Sequence, residues 1–465
     1  MPDLTPTVFS PLGGLAVALT VEAAAIALVR WGQRRRGLSP RAARKALHVA
    51  TSAVALALPW LFDAVWPVVV LAAVGVATGL LSRALPGVRR ALAPALRAAG
   101  PDTVGDLAFP VAVAVLYALA AADVVLYVVP LLLLGLADPA AAVAEGRRRD
   151  GDGVSREAAV AFAAVAFLCV HVPLLVFTPV GRAESLWLSA IVAVLVTLLR
   201  AASWRGLDNV FVPLGAYAVL VRLLTLSAPF LAGHALALAV LVGTAAALRR
   251  ASTVGGDGVL GVALVAYLLW ALGGTAWLLT PALFYILYDR AWPGGSLAES
   301  GGDPDDARDE RPHTVQHVLS VAAVGMVWLV ASRALGAELL APFCLAWGIS
   351  FGFTGVERMR RSRPRWRAAR MGVEAAWRGA LVTTAPLALV WALRVLAGTP
   401  AAPPRLGGAL LAVAAVSALA VGAGAAVLAR WGRVIDDESS DFAGRVYRAA
   451  LVLPLSALGL VAGWA

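Results

Sequence analysis

Charged residues are scarce in this chain of 465 residues. Only 14% of them are Asp, Glu, Lys or Arg, whereas a soluble globular protein carries about 25%. Hydrophobic residues make up 60%, and the mean hydropathy is +0.82. This balance excludes an ordinary water-soluble protein and indicates a chain that is solvated by lipid.

Cysteine and lysine are also rare. The two cysteines, Cys169 and Cys344, both lie in apolar runs, so a buried apolar role is expected for each and no disulfide is indicated. Of the 39 basic residues, a single one, Lys45, is a lysine. It stands beside Arg44 and three residues before His48, and that placement needs an explanation.

Apolar runs of about 20 residues recur from end to end, and each is long enough to cross a bilayer. They predict an all-α polytopic membrane protein with roughly 14–16 transmembrane helices. No basic segment precedes the first run, at 11–30, which predicts a retained helix and not a cleaved signal. We expect two membrane domains, residues 1–250 and 251–465.

The net charge of +11 is explained by membrane topology. If the N-terminus lies outside, the main polar loops are cytoplasmic and contain all but five basic residues, as the positive-inside rule expects. No nucleic-acid polymer is predicted as a partner. The expected location is a multi-pass position in the bilayer, the cytoplasmic membrane if the chain is prokaryotic. The five exceptions lie on the other side or near it: Arg182, Arg222, Arg333, Arg394 and Arg405.

Asp138 is an acidic residue inside an apolar run. Arg147 follows nine residues later, about 13 Å along a helix, so Asp138 is predicted to lie below the membrane surface. A carboxylate there costs about 2.5–3.5 kcal/mol on insertion scales, and Pro139 predicts a broken or kinked helix. A functional role in a polar cavity is one interpretation. A structural ion pair with an arginine of another span is the other.

Two further polar segments are predicted on the cytoplasmic side. Asp208 and Asn209 lie where a loop re-enters the membrane; they suit Mg²⁺, which prefers oxygen ligands, or a helix N-cap. The glycine-containing loop 146–160 combines arginines with Ser155 and Glu157 at a helix start, where a phosphate is favoured. Its basic residues also agree with topology alone.

Lys45 completes a set of groups that phosphoryl transfer uses. Such enzymes mainly position their substrates and place charge against phosphates and Mg²⁺, and a lysine supplies a compact charge on a flexible stem. A single lysine in an arginine-rich chain is also compatible with chance.

Residues 41–225 resemble the integral-membrane CTP-dependent prenol kinases, the phytol kinase and dolichol kinase group. That family has, in this order, R-K-x-x-H, a W-G-D-G-x-A-type segment, K-S-x-E-G-S and D-N-x-x-V-P-L. The matching residues are Arg44, Lys45 and His48; Asp138, Ala140 and Gly146; Ser155 and Glu157; and Asp208, Asn209, Val212, Pro213 and Leu214.

The resemblance implies CTP as the donor, a long-chain isoprenoid alcohol as the acceptor, and Mg²⁺ as the cofactor. The implied site residues fall into three groups: catalytic Asp138, Lys45 and His48; phosphate-binding Arg44, Arg147, Arg148, Ser155 and Glu157; and metal-binding Asp138, Asp208 and Asn209.

Departures from the family pattern at five positions weaken the expected site. Ala137 and Pro139 replace the glycines that flank the acidic residue, and Val154 replaces the lysine of K-S-x-E-G-S. Arg200 aligns with an acidic residue some eight positions before the D-N pair, and Phe211 replaces a threonine. An inactive or altered member of the family is therefore an alternative.

The second half resembles more distantly the membrane family that includes phytyl-phosphate kinase. The residues Gln316, Val318 and Gly325 lie near its Q-V-x-x-N-G-type helix start, but its A-D-T-x-x-S-E signature is not found in the sequence. We expect either a prenyl-monophosphate kinase-like half or a scaffold.

Three functions follow as hypotheses. The first is phosphoryl transfer from CTP, or another nucleotide, to an isoprenoid alcohol at the cytoplasmic face. The second is a related cytidylyl transfer onto a lipid phosphate. The third is a catalytically degenerate protein that binds or transports lipid.

Overall fold

The structure is a computed structural model. The residues it describes are 9–85, 104–120, 123–144, 156–203, 206–248, 256–291, 315–362, 368–398, 406–431 and 441–462. They contain helices and no strand, which confirms the prediction of an all-α membrane protein at that level. Among them, nine helices are long and apolar enough to cross a membrane, and five shorter helices are also apolar.

The chain forms two compact units, Met1–Ala239 and Val240–Ala465, near the boundary predicted at residue 250. The helices of the first unit are α1 (Pro11–Arg36), α2 (Pro40–Leu61), α3 (Val65–Ala84), α4 (Gly105–Ala120), α5 (Val124–Leu132), α6 (Asp138–Ala144), α7 (Arg156–Phe177), α8 (Arg182–Ala202), α9 (Asp208–Leu223) and α10 (Ala228–Leu248), which crosses the boundary.

The helices of the second unit are α11 (Gly256–Gly273), α12 (Ala276–Ala291), α13 (Val315–Leu335), α14 (Leu340–Ser362), α15 (Ala368–Leu396), α16 (Leu406–Trp431) and α17 (Asp441–Ala462).

Helix ends in the first unit follow from local chemistry. The Ser10 and Ser39 side chains accept hydrogen bonds from Gly13 N and Ala42 N, and a proline follows each cap, where its missing N–H costs nothing. Asp123 caps α5 by accepting from Val125 N at 2.9 Å. Polar residues next to apolar runs therefore begin several of these helices.

Tyrosine hydroxyls hold α4 and α5 against α2. Tyr117 donates to the carbonyl of Phe62 at 2.6 Å, and Tyr127 donates to that of Ala55 at 2.7 Å. Both rings are buried in an apolar cluster that includes Leu116. These bonds satisfy buried polar groups and fix the helices that surround the candidate site.

The second unit is built around α14. Of its apolar stretch Leu340–Glu357, 94% is buried, and it packs against α12, α13, α15, α16 and α17. Gly348 lets α15 approach so closely that an added Cβ would lie 1.9 Å from Thr383 Oγ1. Thr383 in turn shares a hydrogen bond of 2.9 Å with Ser417 of α16.

Candidate functional site

Asp138 lies directly after an irregular turn. A π-helical segment, Leu133–Ala137, joins α5 to α6, and Pro139 provides no backbone donor to the turn before it. Gly135 allows α2 to come close, because a Cβ there would lie 3.0 Å from Ser52 Cβ. The predicted interruption of regular helix at Asp138 is therefore a π turn, a feature that is frequent at functional sites.

The Asp138 carboxylate is buried between two cations. Lys45 Nζ donates to Oδ2, and Arg200 Nε donates to Oδ1 at 3.3 Å. The exposed fractions are 30% for the Lys45 side chain, 10% for that of Asp138 and 17% for that of Arg200. Asp138 thus contacts the predicted lysine, and the structural alternative, an arginine from another helix, is also present.

His48 lies next to this pair on α2. It interacts electrostatically with Asp138, Lys45 and Asp208, and its ring meets Phe109 edge-on at 5.4 Å. Its buried Nε2 has no hydrogen-bond partner within the described part of the chain. A buried nitrogen without a partner is costly, and it is free to accept or donate a proton.

Asp208 and Asn209 begin α9 and face the same cluster. Asn209 Nδ2 donates to the carbonyl of Gly105 at 3.0 Å. The turn before them needs Gly206, whose φ is +85°, and a Cβ there would lie 2.6 Å from Gly105 Cα. Neither side chain acts as an N-cap, since the cap residue is Leu207 and has no side-chain bond.

The Asp208 carboxylate is near Asp138, Lys45, Arg200 and His48. No hydrogen bond to it is found in the described ranges. It is therefore the acidic group of this cluster whose oxygens are not already engaged.

A cavity of about 400 Å³ opens beside the cluster between α1, α2, α3 and α4. Arg44, His48 and Asn209 line it on the side of the cluster, and the remaining wall is mostly apolar. Glu22 of α1 also faces it. The volume lies in the usual range of about 300–1,000 Å³ for small-molecule sites, which combine apolar walls with a few polar groups.

Asp106 also lines the cavity, and it forms a two-pronged ion pair with Arg83. The two nitrogen–oxygen distances are 2.9 and 2.7 Å. This bidentate geometry is the stronger form of such pairs, and it joins α3 to α4. Neither Asp106 nor Arg83 is among the site residues that the sequence predicts, and the sequence marks Arg200 only as a departure from the family pattern.

The residues predicted to bind phosphate fall only partly within the described ranges. Arg147, Arg148 and Ser155 lie outside the described residues. Glu157 is described, in the first turn of α7, and it is exposed.

The acidic cluster offers few oxygen ligands for a Mg²⁺ ion. Both Asp138 oxygens are bonded to cations, and the described residues contain no cluster of three His, Cys, Asp or Glu side chains that could hold a metal. Asp208 and the Oδ1 atom of Asn209 remain. They fit an ion that arrives with nucleotide phosphates, as Mg²⁺ usually does with one or two protein ligands.

Two family-like residues of the second half, Val318 and Gly325, have packing contacts, whereas the side chain of Gln316 lies outside the described part of the structure. Val318 is buried, and a Cβ on Gly325 would lie 2.5 Å from Trp347 Nε1. Glu357 pairs with Arg448 at 3.0 Å.

No protein-family model, no curated protein and no solved structure matches this chain significantly. The motifs and the geometry of the first unit are therefore what point to a function.

Proposed function

We propose that the protein transfers a phosphoryl group from CTP, or another nucleotide, to a long-chain isoprenoid alcohol at the cytoplasmic membrane face. The observation that supports it is the placement of Lys45, His48, Asp138 and Asp208 in one cluster beside a mostly apolar cavity. The polar cluster suits phosphates, and the cavity suits a hydrocarbon chain that ends in a hydroxyl.

In this proposal the hydroxyl oxygen of the alcohol attacks the terminal phosphorus. The bond from that phosphorus to the bridging oxygen breaks, and CDP leaves. His48 Nε2 takes the hydroxyl proton, a role that histidine fills because its protonation changes near neutral pH. Catalysis of this type depends mainly on positioning and charge.

Lys45 and Arg44 would hold phosphate oxygens, and Asp138 would orient Lys45. Arg147, Arg148, Ser155 and Glu157 remain proposed nucleotide contacts. Asp208 and Asn209 would hold Mg²⁺ carried by the nucleotide, and the ion would offset negative charge on the phosphates.

The proposal includes a topology. We infer roughly 14–16 transmembrane helices with the N-terminus outside, so that the basic loops and the site lie on the cytoplasmic side. The arginine-rich loops support it.

For the second unit we propose a scaffold role in preference to that of a prenyl-monophosphate kinase-like half. The burial of Val318 and the close contact of Gly325 with Trp347 support the scaffold.

The test is a kinase assay on the purified full chain with labelled CTP and farnesol, geranylgeraniol or phytol. We expect a prenyl monophosphate as the product. His48→Asn should form it at least about 100-fold more slowly, since a general base typically contributes about 10²–10⁴-fold. The control Arg222→Gln, which changes an exposed residue of α9, should keep the wild-type activity. A CDP-lipid product would instead identify a cytidylyltransferase.

A second candidate is a protein that binds or carries a phosphorylated lipid without turnover. The engagement of both Asp138 oxygens by cations favours it, since this carboxylate must release a partner before it can bind a metal. If the assay yields neither a prenyl monophosphate nor a CDP-lipid while the protein still binds a prenyl phosphate, this function is supported over the kinase.

A further inference from the structure

Arg200 is the residue of the cluster that the family pattern does not explain. It lies in the last turn of α8, where it replaces an expected acidic residue. Its guanidinium carbon lies 5.1 Å from the centre of the Phe162 ring, and Phe162 is fully buried. Arginine stacks on aromatic faces in this way because its planar cation is weakly hydrated.

The guanidinium is held at one edge only. Nε is bonded to Asp138 at 3.3 Å, whereas Nη1 and Nη2 have no acceptor among the residues that the structure describes. An arginine side chain loses much rotamer freedom when it binds a ligand, and that loss is smaller when the side chain is already fixed. Stacking and the Nε bond therefore leave two donors oriented for an anion.

The charge around Arg200 favours an anion. Lys45, Arg44 and Arg200 carry three positive charges against the two negative charges of Asp138 and Asp208, all of them close to His48 or Asp208. A partly enclosed site with excess positive charge attracts phosphates. The unpartnered Nε2 of His48 is a second, independent sign that a polar group of a ligand belongs here.

We infer that Arg200 binds the terminal phosphate of the ligand, so that this site binds phosphate groups even when the Mg²⁺ required for the proposed turnover is absent. The arginine supplies the positive charge and the two-pronged geometry that phosphate oxygens accept. This inference deepens the proposed function, but it requires phosphate binding at the site and no turnover. The phosphate belongs either to a nucleotide or to a prenyl phosphate.

The experiment measures binding by the full-length protein in detergent, with CTP, with geranylgeranyl monophosphate and with inorganic pyrophosphate. Each probe is titrated once in EDTA and once in Mg²⁺. We expect at least one phosphorylated probe to bind in EDTA within about threefold of its affinity in Mg²⁺. The probe that does so identifies the source of the phosphate.

Arg200→Gln is expected to weaken that binding in EDTA by about 10- to 100-fold, the usual effect of losing hydrogen bonds to a charged group. Arg200→Lys keeps the positive charge without the two-pronged donor, so its affinity in EDTA should lie between those of the wild type and Arg200→Gln. Arg222→Gln is the matched control, because Arg222 is exposed at the end of α9; it should bind like the wild type.

A structural counter-ion of Asp138 would behave differently. If Arg200→Gln or Arg200→Lys keeps its thermal stability and binds as tightly as the wild type in EDTA, the inference is wrong. It is also wrong if EDTA abolishes all binding by the wild type.

Should Arg200→Gln fail to fold, Arg200→Lys and Phe162→Leu decide the matter, since each removes only part of the arrangement. Weakened binding in both supports the inference, and unchanged binding in both contradicts it. Binding in EDTA without any product in the kinase assay would refute the proposed kinase and leave the role of Arg200 intact.

Discussion

The ion cluster around Asp138 predicts that some substitutions destabilise the protein more than others. Asp138→Asn leaves Lys45 and Arg200 without their shared carboxylate, whereas Lys45→Met leaves Asp138 with Arg200. Loss of one partner of a buried ion pair costs about 3–5 kcal/mol, and we expect the lower end because the Lys45 side chain is 30% exposed. Lys45→Met should cost about 1.5–3 kcal/mol, the contribution of a hydrogen bond to a charged group.

The double variant separates this pairing from general damage to the fold. Lys45→Met with Asp138→Asn removes both partners, so its cost should fall short of the sum of the single costs by about 0.5–3 kcal/mol. For a unit of this size, 1 kcal/mol corresponds to about 2–4 °C in Tm. Asp138→Asn should then lower the apparent Tm by roughly 6–12 °C.

Thermal unfolding of the detergent-solubilised protein, followed by intrinsic tryptophan fluorescence, measures all three variants beside Arg222→Gln. The control should unfold with the wild type. If Lys45→Met also unfolds with the wild type, or if the two single costs simply add, Lys45 does not pair with Asp138. The candidate site would then lose its central contact.

Two further predictions test the turn before α9 and the topology. Gly206→Ala should destabilise the protein by more than about 1 kcal/mol, because an alanine at φ +85° is strained and its Cβ meets the Gly105 backbone. The control is Gly233→Ala in the interior of α10, where nothing lies within 4 Å of the added Cβ; it should be neutral or stabilising. Thermal unfolding measures both variants. In a variant without the two native cysteines, Ser300→Cys should react with an impermeant maleimide only from the cytoplasmic side and Gly181→Cys only from the opposite side; the reverse pattern would refute the proposed orientation.

The sequence predicted the helical class and part of the site from different kinds of signal. Apolar runs predict helices whatever they pack against, so the class follows directly. The order of the family-like motifs predicts that Lys45 and Asp138 share one site, although they lie 93 residues apart in the sequence. Asp138 also stood out alone, because an acidic residue in an apolar run must find a partner.

Other residues gave no such signal. The sequence marks Arg200 only as a departure from the family pattern, and its contact with Asp138 depends on the packing of α8, which only the structure provides. The π turn before Asp138 includes the close approach of Gly135 to Ser52, a tertiary contact that local propensity does not encode. Asp123, in contrast, had a readable signal, since aspartate before an apolar run is a typical N-cap.

The enclosure of α14 has a consequence for how the protein is made. Its apolar stretch has the lowest mean hydropathy of the nine candidate spans, 1.2, and Ser350 and Thr354 lie buried within it. Partition into lipid alone is therefore weakest for this helix, while α15, α16 and α17, which cover it, are synthesised afterwards. A nascent chain that stops after α14 lacks three of the five helices that pack against it, so we expect stable insertion of this helix to require the final three helices.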